Sequence, residues 1–177
     1  GDLSGCGYLD LVIRIDTAQR ILKKSNAMGM TDEKSIRSVL TIVKVNNELE
    51  RIADMCKGIS KRVIRLVEAG NYRYPPALVQ MAEAALGMLR NVLVAFSNED
   101  IKLCLEVRCS DKYVDDLNKE TVAWAREWIE TDVEKSGAAI ELLSIAQRLE
   151  RLADIVTAIA EDTVFLVEGR LVRHGAE

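Results

Sequence analysis

Two stretches of this 177-residue chain repeat each other at a fixed offset of 100 positions. In the first, Ile42, Val45, Leu49, Ile52, Cys56, Ile59, Val63 and Leu66 recur at alternating spacings of three and four. Leu142, Ile145, Leu149, Leu152, Val156, Ile159, Thr163 and Leu166 restate that series 100 positions later. Such spacing lines up one side of an α-helix and makes it a seam facing a partner. Apolar phase alone can coincide between unrelated helices, but here polar residues coincide too. Leu49-Glu50-Arg51-Ile52-Ala53-Asp54 returns as Leu149-Glu150-Arg151-Leu152-Ala153-Asp154, Leu66-Val67-Glu68 as Leu166-Val167-Glu168, and Thr31-Asp32 as Thr131-Asp132. The chain therefore carries an internal repeat.

The segments between the two long helices are also helical in pattern. A helix is expected over 8–27, and Thr31 or Asp32 then caps the first long helix, which runs to Gly70. Gly58 inside it is tolerated at a cost of about 1 kcal/mol relative to alanine. Residues 70–76, ending in Pro75-Pro76, form a linker. A helix over 76–96 faces inward with Leu78, Ala82, Ala85, Leu89, Val92 and Phe96. Ser97-Asn98 breaks it, and a helix over 99–130 presents Val107, Val114, Leu117, Thr121, Trp124 and Trp128. The last helix opens at Thr131-Asp132. The fold class is thus all-α, made of duplicated antiparallel three-helix bundles, with units at 1–74 and 75–177. The counterpart of the helix over 76–96 would precede residue 1, so the first unit has two helices and an open groove. A lost helix or a partner subunit would cover it.

Composition narrows the function. Apolar residues make up 49% of the chain, and the two prolines are adjacent, which suits long helices rather than strands and turns. With 24 basic and 28 acidic residues the net charge is -4, which argues against holding a nucleic-acid backbone. No apolar run reaches the roughly 20 residues that span a bilayer, so direct membrane insertion is not expected. The start at Gly1 without Met is read as a tag remnant or a cut within a longer protein. Cys6, Cys56, Cys104 and Cys109 form no CxxC, and His174 is alone, which excludes a Cys/His zinc site. Reduced thiols in the cytosol are expected, with Cys104 and Cys109 as small buried fillers. There is no nucleophile–base–orienter set, Gly-rich phosphate loop or nucleotide-binding signature.

The carboxylates are the candidate chemistry. Glu50 and Asp54 are one turn apart on one helix face, as are Glu150 and Asp154, while Asp111 and Asp115 repeat the spacing on the preceding helix. Short-loop connection makes those last two helices antiparallel neighbours, so four carboxylates are placed to converge, with Glu161 a further turn along. Such a set suits Mg, Mn or Fe, with Zn possible. The plainer alternative is a solvated face on which Arg51 or Arg151 pairs with the acids. In the first unit Asp16 has no second acid beside it, since positions 11 and 15 are Leu11 and Ile15. Arg37, Lys61, Arg62 and Arg65 suit an acidic partner or, equally, a solvated helix face. Trp124 and Trp128 read as core rather than a ligand stack.

Asn47-Glu48-Leu49-Glu50-Arg51-Ile52-Ala53-Asp54 resembles the duplicated signature of the PhoU family of phosphate uptake regulators. So do Arg148 to Asp154, Ile159-Ala160-Glu161, and the tail from Leu166 to His174. The resemblance covers nearly the whole chain. It implies two pseudo-symmetric three-helix bundles, a dimer and a cytoplasmic location. It also implies a multinuclear metal site, iron foremost, on Glu50 and Asp54 in one unit and on Glu150, Asp154, Asp111 and Asp115 in the other. Its implied function is non-enzymatic: linking the phosphate-specific ABC transporter, through its ATPase, to a sensor histidine kinase and repressing phosphate-starvation genes. The chain departs from the pattern in its missing first helix, its lack of an acid pair before Glu50, and Ala53 and Ala153 where glycine is usual. The alternative is a PhoU-like cytoplasmic domain attached to a sodium–phosphate cotransporter or another membrane protein.

Overall fold

A computed structural model describes residues 33–70 and 73–169. The helix expected over 8–27, the cap at Thr31 or Asp32, Asp16, Cys6 and the tail with His174 lie outside the described residues. Four long helices make up the rest: α1 (Glu33–Ala69), α2 (Pro76–Asn98), α3 (Ile101–Thr131) and α4 (Ser136–Glu168), with a short 3₁₀ turn at Val133–Lys135. No strand occurs among the described residues, in keeping with the all-α reading.

Local chemistry sets the ends. Gly70 leaves α1 at φ 63°, and Gly169 leaves α4 at φ 70°, where its N–H reaches the Phe165 carbonyl. Both are left-handed positions that glycine adopts without penalty. The second proline starts α2, where a missing N–H costs nothing. The break expected at Ser97-Asn98 falls one residue later, at Glu99, which takes φ 53°. Asp100 then caps α3, its carboxylate accepting from the Leu103 N–H at 3.0 Å. Asp132 caps the 3₁₀ turn through the Glu134 N–H, so α4 proper opens four residues after it.

Packing is hierarchical. α2, α3 and α4 pack pairwise as a three-helix bundle, while α1 touches α4 and no other helix among the described residues. α4 alone meets all three. All eight residues of its expected seam are buried. On α1 the matching seam is buried at Ile42, Val45, Leu49, Ile52 and Leu66, but Ile59 is only half-buried and Cys56 and Val63 are exposed. One neighbour covers one strip of a helix; it leaves the flanks in water.

Two expectations need correction. The stripe of α2 runs through Leu78, Met81, Ala85, Met88, Val92 and Ala95, with Ala82, Leu89 and Phe96 at its half-buried edge. Contact with both α3 and α4 widens the buried face by a residue. α2 is also long and apolar enough, by length and composition, to cross a bilayer; one face of it packs within the bundle, while Val79, Leu86 and Val94 are exposed. Cys104 is buried as expected, but Cys109 is exposed. Trp124 and Trp128 stack at 4.9 Å against the core.

Candidate functional site

α1 and α4 run antiparallel. Lys44 reaches Asp162, Gly58 lies beneath Arg148, and Arg62 reaches Glu141, so numbers rise on one helix as they fall on the other. Combined with the 100-residue repeat, this crossing has a local two-fold axis near Ala53 and Ala153, the one place where a turn faces its own copy. The turns that meet are those of the duplicated signature. Arg51, Asp54 and Met55 face Arg151, Asp154 and Ile155 across a groove of about 450 Å³. Ala53 is half-buried and Ala153 fully buried here, small enough for close approach of the helices.

The six candidate carboxylates fall as follows. Glu50 is exposed on α1. The Asp54 side chain is 69% exposed and accepts from Lys57 Nζ at 3.0 Å. Asp154 is exposed across the groove from it, and Glu150 is half-buried one turn away. Asp111 and Asp115 are half-buried on α3. The structure thus brings Asp54 and Asp154 to one groove, and does not gather all six. Among the described residues no three His, Cys, Asp or Glu side chains form a group able to hold a metal ion. Glu161 faces Arg108 of α3 at 3.5 Å, with both side chains largely buried. Arg51 donates to Glu48, at 2.7 and 3.0 Å, rather than to Glu50.

A second groove of about 380 Å³ lies along the same helix pair. Asp54, Lys57, Gly58, Lys61, Arg62 and Arg65 line it from α1, and Arg148 from α4. Behind it Glu141 accepts from Arg62 at 2.5 Å and from Arg65 at 3.4 Å. The hydrogen bond from Arg62 holds the Glu141 carboxyl below the usual carboxylate range, with Arg65 adding to the effect. Glu141 and the placement of Arg148 over Gly58 are not legible in the helix pattern. Their signal in the sequence is departure from the repeat, with Gly58 against Ala158 and Arg148 against Glu48. Elsewhere, burial pushes the Cys104 thiol up to about 11, so it is a protonated filler at neutral pH.

These features can be set beside known proteins. The model of the PhoU domain matches residues 78–163. The phosphate-specific transport system accessory protein PhoU homolog of Zymomonas mobilis is 32% identical over 153 residues, which is 86% of this chain and 65% of that protein. The homolog of the same name from Streptococcus pneumoniae serotype 4 is 30% identical over 150 residues, covering 82% of this chain and 68% of its own. The chain belongs to the PhoU family. A crystal structure of the phosphate transport system regulatory protein PhoU from Streptococcus pneumoniae superposes with a TM-score of 0.71 at 26% identity, covering 90% of this chain and 83% of that one. The PhoU domain match takes in α2, α3 and most of α4, and leaves the α1 copy of the signature outside it. The chain spans just under two thirds of the Zymomonas relative's length.

Proposed function

We propose that this chain is a non-enzymatic regulator of phosphate uptake and phosphate-starvation signalling, working in the cytoplasm by binding the ATPase of a phosphate ABC transporter and a sensor histidine kinase. The observation that carries this reading is its PhoU membership, since the matched relatives are accessory proteins of phosphate-specific transport. The long exposed flank of α1, with Ile36, Leu40 and Val43 half in water, supports a docking role. We read 1–74 and 75–177 as two repeat units and the assembly as a homodimer. Pull-down with the transporter ATPase and the kinase cytoplasmic domain tests the reading. Capture of either supports it; failure with both, in metal-loaded and metal-free protein, counts against it.

Metal binding on Glu50, Asp54, Asp111, Asp115, Glu150 and Asp154, with iron foremost and Zn, Mn or Mg otherwise, belongs to the same proposal. Its support is the repeated acid spacing and the family resemblance, not the side-chain placement. Elemental analysis of protein purified without chelator is the test: Glu150→Ala and Asp154→Ala should lower bound metal while helical content survives. Unchanged metal would discard these ligands.

A further inference from the structure

We infer that the basic groove between α1 and α4 is a binding site for a small polyvalent phosphoanion. Five cations, Lys57, Lys61, Arg62, Arg65 and Arg148, line it against one acid, Asp54, on a chain whose net charge is -4. Neighbours account for some of them. Lys57 donates to Asp54, and Arg62 and Arg65 share the Glu141 carboxylate. Lys61 and Arg148 have no ion-pair or hydrogen-bond partner among the described residues.

Arg148 is placed by an absence on the other helix. A Cβ at Gly58 would come within 2.8 Å of Arg148 Nη1 and 3.0 Å of its Cζ. The guanidinium therefore lies against the bare backbone of α1, in the space a side chain would fill. Glu141 meanwhile orients the Arg62 fork. Two guanidinium groups are so held before any ligand arrives, which reduces the ordering cost of binding.

The repeat supplies an internal control. The residues 100 positions on from Lys57, Gly58, Lys61, Arg62 and Arg65 are Thr157, Ala158, Glu161, Asp162 and Phe165, and Glu48 stands 100 before Arg148. The sequence repeats the seam pattern at both ends of the α1–α4 crossing, yet only one end carries these cations. Packing therefore does not require them. Lys57, Lys61 and Arg65 stand one turn apart and repel one another by a few tenths of a kcal/mol per pair. An anion in the groove removes that repulsion.

The ligand class follows from charge, shape and size. A lone carboxylate neutralises one cation, whereas a phosphate group offers three or more oxygens to guanidinium forks and an ammonium together. The groove volume of about 380 Å³ is in the small-ligand range and short for a nucleic-acid backbone. The inference stands apart from the regulatory reading, because phosphoanion binding needs no transporter and transporter docking needs no bound anion.

Isothermal titration of the whole chain with orthophosphate, pyrophosphate and ATP at low ionic strength is the test. Saturable binding of at least one is expected, weakened about tenfold or more by Lys61→Glu or Arg148→Glu, and unchanged by Lys102→Glu on the far surface of α3. Orthophosphate alone would name free phosphate as the ligand, ATP alone a nucleotide; either supports the site. Gly58→Ala removes the room for Arg148 without removing a helix former, so weaker binding in this folded variant separates loss of the site from loss of fold. No saturable binding in the millimolar range, equal binding by the charge-reversed variants, or binding of a glutamate-rich peptide alone would overturn it.

Discussion

α1 and α4 carry the same seam, yet they live in different surroundings. All eight seam positions of α4 are buried, because three helices surround it. On α1 the matching positions thin out beyond Ile52, as Cys56 and Val63 face water and Ile59 is half covered. Their charges differ as well. α1 carries eight basic residues and five acidic, whereas α4 carries two basic and six acidic. The duplicated halves have taken opposite signs, and the bridges between them follow that division: Lys44 to Asp162, Arg62 and Arg65 to Glu141. A repeat can keep its packing code while its surface diverges, since the seam is fixed by a partner and the outer faces are not.

The largest test of that contrast is in the core. Ile159→Ala should cost about 2–5 kcal/mol by urea denaturation, with Ile59→Ala well below half of that. Equal losses would mean that the α1 seam is covered in solution, and the comparison would fail. Gly58 and Ala158 give the next effect. Ala158→Gly should destabilise by about 1 kcal/mol through helix propensity alone, while Gly58→Ala should gain up to about that much. The gain holds because only the flexible end of Arg148 must move. Smallest is the acid end of the bridge. Glu141 has its pKa lowered in the folded chain, so it stabilises above its ordinary value of 4.5 and that contribution fades as pH falls through the lower folded value. In Glu141→Gln, the pH dependence of stability below about 4.5 should be shallower than in the parent, as read from thermal melts between acid and neutral pH.

What could be read without coordinates was set by period and repetition. The seams, the opening at Thr131-Asp132 and the linker at Gly70 are local or periodic, so they appear in sequence; the cap at Asp100 came with the structure. The fate of each seam residue is not local. Cys56 and Val156 occupy the same repeat position, and only the number of neighbouring helices makes one exposed and the other buried. Met81 and Met88 were missed in favour of Ala82 and Leu89 because a helix against two neighbours buries more than one stripe. Cys109 looked like a filler by residue type, yet it faces away from the bundle. The acid pairs were legible as spacing, but their company was not. Lys57 on Asp54 and Arg108 near Glu161 are settled by which helices cross. Arg148 stands in the duplicated signature, but nothing in its own sequence neighbourhood points to Gly58.

The way α1 packs suits an α1 supplied by either of two chains. Every helix contact α1 makes among the described residues is to α4, and the connection to α2 is short, from Gly70 to Pro75. An α1 lent by a second copy would find the same seam, the same Glu141 and the same Asp162. The same contacts serve a closed chain and one that exchanges α1 with its neighbour. Chain concentration and the stiffness of that connection decide between them, as in other proteins that swap a whole element.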